Sequence, residues 1–97
     1  MKELDIILNN KTVFLKHMKS KFTMIHQSNF FYRDFQYGVL SFLSDHGMRT
    51  SREKANIIAR EVIVEFEKQG ILKKIDYQTW MLFYPEFTLP RIEKKAS

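Results

Sequence analysis

Apolar and polar positions along this chain keep a helical rhythm over most of its length and switch to a strand-like one near the end. The clearest block is residues 50–84. Within it Ala55, Ile58, Ala59, Val62 and Phe66 recur at helical spacing. Ile57, Ile63 and Val64 widen the apolar face, so the pattern predicts one helix that packs on two sides. Thr50 followed three residues later by Glu53 has the form of a capping box, in which each side chain satisfies a backbone N–H left open by the first turn. Gly70 is placed to end this helix, because glycine enters the left-handed conformation without a Cβ penalty. Ile71 is then expected to fold back towards Phe66, as in a Schellman ending.

Beyond Gly70 the rhythm changes. Residues 71–75 and 80–84 are rich in β-branched, aromatic and long apolar side chains, and Asp76, Tyr77, Gln78 and Thr79 separate them. This spacing predicts a two-stranded hairpin that leans on the helices through Trp80, Leu82 and Tyr84. Pro85 has no N–H for a ladder and is expected to end the second strand. Residues 86–90 are read as extended, anchored by Phe87 and Leu89, and 91–97 as a short charged tail.

Upstream, Phe31, Phe35, Val39, Phe42 and Leu43 keep helical spacing. They predict a helix capped by Ser28 or Asn29 and running to about His46, with Gly47 at its C′ position. Gly38 inside that helix costs about 1 kcal/mol relative to alanine, which points to close approach of another element there. An earlier stripe of Phe14, Leu15, Met18, Phe22 and Ile25 predicts a helix from about Lys11, with residues 23–29 as the connector. Residues 4–8 form an apolar burst that reads equally as an added strand or as the first turn of a longer N-terminal helix. The resulting class is mainly α with a small β-hairpin, an α+β arrangement. Its order of three helices followed by a two-stranded wing is winged-helix-like, in a single domain over residues 1–90.

Composition narrows the function. Ninety-seven residues, 44% hydrophobic and including 14 aromatic side chains, suffice for one core. The absence of cysteine excludes disulfides and cysteine-based metal sites. The acids at Glu3 and Asp5 are unlike a secretory leader, and no apolar run approaches the ~18 residues of a membrane span, so a cytoplasmic protein is expected. Glycine is found at three positions only, with no phosphate-cradling loop, no nucleophile elbow and no HExxH. A non-enzymatic protein that needs no cofactor and no metal is therefore expected. His17 and His26 have no metal-ligand spacing, and Asp45-His46 has no nucleophile beside it in the chain.

The net charge of +5 is concentrated. Lys11, Lys16, Lys19, Lys21 and Arg33 fall within residues 9–33 without one acid between them. Such a window either attracts a polyanion or simply solvates a helix. Arg52, Asn56 and Arg60 recur on one polar face of the central helix, where arginine can pair with guanine and asparagine with adenine. Lys73 and Lys74 in the wing, with Lys11, Lys16, Lys19 and Lys21, are candidates for phosphate contacts. Four acids, Glu53, Glu61, Glu65 and Glu67, balance the helix's own Arg52, Lys54, Arg60 and Lys68 and favour its N-terminal turn as the reading end.

One resemblance bears on this choice. Residues 38–43 (Gly-Val-Leu-Ser-Phe-Leu), 50–55 (Thr-Ser-Arg-Glu-Lys-Ala), 69–72 (Gln-Gly-Ile-Leu) and 81–84 (Met-Leu-Phe-Tyr) resemble the DEP-type subset of winged-helix domains. The resemblance spans residues 38–84 and implies an adaptor that docks on proteins or membranes. Two functions therefore stand side by side. One is a small regulator binding double-stranded DNA, with a homodimer allowed. The other is a protein-interaction module with no nucleic-acid role, in which the exposed aromatics of the second helix meet a protein partner.

Overall fold

A computed structural model of the chain describes residues 2–22 and 24–87. Among these residues the order is α1 (Lys2–Asn9), α2 (Lys11–Lys21), β1 (Asn29–Phe31), α3 (Tyr32–Asp45), α4 (Arg52–Lys68), β2 (Leu72–Asp76) and β3 (Thr79–Leu82), closed by a 3₁₀ turn at Pro85–Phe87. The architecture is mainly helical with a small antiparallel sheet of order β1-β3-β2. Leu89, the tail 91–97 and the end of the predicted domain lie outside the described residues.

Both long central helices end as their sequences predict. At the end of α4, Ile71 N–H donates to Phe66 O at 2.9 Å and Gly70 N–H to Glu67 O at 3.1 Å, with Gly70 at φ +78°. At the end of α3, Met48 N–H donates to Leu43 O at 2.8 Å and Gly47 N–H to Ser44 O at 3.0 Å, with Gly47 at φ +76°. Both are Schellman motifs, in which the left-handed glycine turns two orphan carbonyls back to the chain.

Three expectations are corrected. The cap of α4 is Ser51, whose Oγ accepts from Lys54 N–H at 3.1 Å. Thr50 stands one residue outside the helix with its Oγ1 buried and unbonded among the described residues, so no capping box forms with Glu53. The wing has three strands, because Asn29, Phe30 and Phe31 pair with Met81, Trp80 and Thr79. That strand occupies the ground assigned to the start of the second helix, which begins instead at Tyr32. Residues 4–8 belong to a separate short helix, α1. Asn10 joins it to α2, donating from Nδ2 to Ile6 O at 2.8 Å and accepting at its own carbonyl from Phe14 N–H at 2.9 Å. As expected, α2 stops by Lys21 and leaves Ile25 in the connector.

The core is an aromatic junction of the three longer helices. Phe14 of α2 meets Phe35 and Phe42 of α3 edge-on at 5.6 and 5.2 Å and lies 6.2 Å from Phe66 of α4. Phe30 of β1 stacks on Phe35 at 5.7 Å, which carries the sheet onto the same cluster. Gly38 is where α2 comes closest: a Cβ built there would sit 1.9 Å from Met18 Sδ. The inward face of the sheet is Phe30, Leu72, Trp80 and Leu82, all buried. Its alternate positions, Asn29, Phe31, Lys73 and Met81, point the other way. Lys54 Nζ bonds Glu3 Oε2 at 2.7 Å and pins α1 along one flank of α4.

Candidate nucleic-acid interface

Packing first decides which side chains of α4 are free. Ala55, Ile58, Ala59, Val62, Ile63 and Phe66 are buried, and the polar residues beside this stripe are drawn onto neighbouring elements. On the flank facing α3 and the sheet lie Arg52, Asn56, Arg60 and Glu67, the i, i+4, i+8 series predicted to read bases plus one carboxylate. Arg52 is the first residue of α4 and is exposed.

Asn56 and Arg60 are engaged by Tyr32, the first residue of α3. The Tyr32 hydroxyl donates towards Asn56 Oδ1 and lies 3.2 Å from Asn56 O. The Arg60 guanidinium sits 4.7 Å from the centre of the Tyr32 ring, a cation–π arrangement. Burial pushes the Tyr32 phenol above its ordinary value of 10.0, against the opposing pull of Arg60, so the hydroxyl stays protonated and able to donate at neutral pH. A bidentate adenine contact needs both Oδ1 and Nδ2 of the asparagine. The bond from Tyr32 occupies one of the two acceptor sites of Asn56 Oδ1 and fixes the orientation of the amide.

Around Tyr32 the surface carries an unpredicted basic group. Phe31, Tyr32, Arg33, Asp34, Gln36 and Gln78 line one hollow of about 350 Å³. Arg33, Asp34 and Gln36 continue into a second of about 300 Å³, whose far wall is Arg52. Arg60, Glu67, Lys74 and Trp80 line a third beside the wing. Arg33, Arg52, Arg60 and Lys74 thus share one flank with two acids, Asp34 and Glu67. Of these, Glu67 accepts the Trp80 indole N–H at 2.8 Å. The ion pairs formed among the described residues are Lys54–Glu3 and His17–Asp45, so the three arginines have no carboxylate within 4.0 Å.

The other predicted phosphate contacts do not join this surface as a group. Lys74 is opposite Trp80 on the helix side of the sheet, whereas Lys73 is opposite Met81 on the outer side. The four lysines of α2 spread around more than half of its circumference at helical spacing. Lys11 Nζ donates to Gln69 Oε1 at 2.9 Å, near the end of α4. Lys19 Nζ lies 4.7 Å from the Phe87 ring centre, and Lys16 is exposed. Lys21 lines a groove at the α3–α4 joint together with Arg49 and Ser51.

A second constellation lies at that joint. His17 Nε2 is 2.6 Å from Ser41 Oγ, and His17 Nδ1 is 3.6 Å from Asp45 Oδ2. The residue types are those of a charge relay, but Ser41 lies inside α3, where its N–H belongs to the helix ladder and not to a developing oxyanion. The arrangement fastens α2 to α3. Burial lowers the His17 pKa below 6.5 and the nearby Asp45 carboxylate opposes the shift, while Lys21 and His46 add to it.

Arg33 was visible in the sequence as part of the basic window but not as a neighbour of Arg52. The two are brought together only by the turn between α3 and α4. No helix among the described residues is long and apolar enough to cross a membrane. No protein-family model, curated protein or solved structure matches the chain.

Proposed function

We propose that this chain is a winged-helix binding protein that holds double-stranded DNA along the flank formed by the start of α3, the Arg52–Arg60 side of α4 and the wing. The fold reading rests on element order. Taken from α2, the chain runs helix, strand, helix, short joint, helix, hairpin, and its first strand pairs with the last. The functional reading rests on one observation: Arg33 and Arg60 flank Tyr32 and Arg52 shares the next hollow with Arg33, with more positive than negative charge and no ion pair among the described residues to neutralise them. Free guanidinium groups on one flank suit the phosphate backbone, where each contact releases condensed counterions and makes affinity fall with salt.

The reading places weight on the edge of α4 and not on its solvent-facing centre. That centre carries Glu53 and Glu61, which a phosphate-lined groove repels. Lys74 extends the flank onto the wing. The bond from Tyr32 holds the Asn56 amide in one orientation against α3, so affinity is expected to depend more on backbone than on sequence.

Fluorescence anisotropy of a labelled random duplex, titrated from low to high salt, tests this. Binding should weaken steeply with salt, and Arg33→Ala and Arg52→Ala should each lower the log–log slope by about one with unchanged melting of the fold. Lys16→Ala should leave the slope where it is. No binding at low salt, or a slope indifferent to the Arg33/Arg52 double variant, overturns the proposal.

A further inference from the structure

Phe31 and Tyr77 stand outside the network of rings that builds this fold. Every other phenylalanine, tyrosine and tryptophan has a second ring within 6.3 Å of its own centre. Among the described residues these two have none, and they are the most exposed of the large apolar side chains, at 59% and 75%. Both belong to one end of the sheet. Phe31 is the last residue of β1 and lies opposite Thr79, and Tyr77 is in the loop two residues before Thr79. Tyr32 N–H ties that loop to the start of α3 by donating to Gln78 O at 2.9 Å. A single exposed aromatic residue is ordinary on a protein surface. What distinguishes Phe31 is its surroundings.

Phe31 lines the hollow of about 350 Å³ with Tyr32, Arg33, Asp34, Gln36 and Gln78. At ~30 Å³ per water that is the volume of roughly a dozen waters, the scale of one base ring system. Gln36 and Gln78 each carry donors and an acceptor on one amide and can meet the polar edge of any base. Arg33 has no ion pair among the described residues and is free for a phosphate. Asp34, the one acid of the lining, is an acceptor for a base amino group. A further cation lies on the face to which Phe31 points. Lys73 is exposed and opposite Met81, and Met81 and Thr79 share the outer side of β3, with Trp80 between them on the inner side. The ~4.8 Å strand spacing and ~3.4 Å rise put the backbones of Phe31 and Lys73 about 12 Å apart. Asp76, near this end of β2, is occupied at its Oδ1 by Gln78 N–H at 2.9 Å.

We propose that Phe31 is a stacking platform for an unpaired base, so that this surface takes duplex DNA carrying a single-stranded tail in preference to blunt duplex. The inference rests on the DNA reading above and names its substrate more closely. Along an intact duplex the bases cover one another and present only their edges, whereas an unpaired base offers its face to a ring. The hollow is continuous with the duplex flank, because Arg33 and Gln36 line both it and the hollow walled by Arg52. From Phe31 the tail crosses the outer face of the sheet to Lys73, a cation that the duplex reading leaves unused. The occupant is a nucleotide and not an apolar partner because the exposed ring is set among two amides and two unpaired cations, the groups that meet base edges and phosphates.

Fluorescence anisotropy at one low salt concentration compares a labelled blunt duplex with the same duplex extended by a tail of about five nucleotides, 3′ in one sample and 5′ in another. One tailed form should bind about fivefold to tenfold more tightly than the blunt one. Phe31→Ala should remove that gain and leave affinity for the blunt duplex within about twofold of wild type, whereas Phe31→Tyr, which keeps the ring, should keep the gain. Lys73→Ala should lower the log–log salt slope on the tailed DNA by about 0.7 and leave the slope on blunt duplex where it is. Phe31 and Lys73 are both exposed, so melting temperatures should stay at the wild-type value. Equal affinity for blunt and tailed DNA, or a gain that survives Phe31→Ala, overturns this inference and leaves salt-dependent duplex binding standing. No binding of any of the three DNAs overturns both readings.

Discussion

Replacing Gly38 by alanine sets two effects of opposite sign against each other at one position of α3. Alanine is the better helix former by about 1 kcal/mol, and on propensity alone the substitution should stabilise. The structure opposes this, because the new Cβ would lie 1.9 Å from Met18 Sδ and 3.0 Å from Met18 Cε. Ordinary contact is about 3.5–4 Å, so the sulfur must retreat by roughly 1.5–2 Å. Methionine is flexible, but Met18 is fully buried, and movement within a filled core has little room to go. Overpacking of this kind typically costs about 1–3 kcal/mol. The balance is a loss of up to about 2 kcal/mol, which for a domain of this size lowers the melting temperature by up to about 15 °C.

Thermal and urea unfolding of Gly38→Ala measure that balance, and a second background isolates its cause. Met18→Ala alone removes buried methylene and sulfur and should cost about 2–5 kcal/mol. In that background the clash is gone, so Gly38→Ala should change sign and stabilise by up to about 1 kcal/mol through propensity. A Gly38→Ala protein that melts higher than wild type would show that the close approach of α2 and α3 does not constrain residue 38. An identical effect of Gly38→Ala in both backgrounds would show that Met18 is not what it meets.

The cap of α4 gives a second prediction: Ser51→Ala should destabilise by about 1 kcal/mol, whereas Thr50→Val, which removes a buried unbonded hydroxyl, should be neutral or stabilising. Urea midpoints in the reverse order would return the cap to Thr50. His17 gives a third. Its folded pKa lies below 6.5, so the unfolded chain takes up the proton first, and stability should fall as pH drops through about 6.5 towards the folded value and then level off. The groups that face it are Asp45, Lys21, His46 and Ser41, and His17→Gln should remove this step from a urea-midpoint profile between pH 8 and 5. The Glu3 and Asp76 carboxyls are held below 4.5 and 3.8, Glu3 chiefly by the hydrogen bond from Lys54 and Asp76 by that from the Gln78 backbone N–H, and so titrate outside this window. A profile unchanged by His17→Gln would refute the assignment.

What could be read from the sequence was what is decided within a few residues. Gly47 and Gly70 end their helices as expected, because a Schellman turn is a local arrangement that needs only a residue tolerant of positive φ. The apolar stripe of α4 is a periodicity, and periodicity survives without knowledge of partners. Asn29, Phe30 and Phe31 failed the same test. The sequence Asn-Phe-Phe suits a helix start or a strand, and the choice is made by β3, some fifty residues later in the chain. Thr50 and Ser51 failed for a different reason: adjacent residues of equal capping ability leave the boundary to tertiary packing.

The same distinction explains the site. Arg52, Asn56 and Arg60 lie on one flank of α4 as their spacing requires, but spacing says nothing of what stands beside them. Tyr32 does, and its position follows from β1. Because that strand runs without a break into α3, pairing of Phe31 with Thr79 fixes where the first turn of α3 begins. That turn then sets the Tyr32 ring under Arg60 and its hydroxyl on Asn56. A strand of three residues thus converts a base-reading series into two arginines flanking an asparagine already engaged, and adds Arg33 to them. The consequence is a surface better matched to a charged backbone than to a base edge. For that reason the slope with salt, more than any preferred sequence, is the quantity in which binding by this flank would show itself.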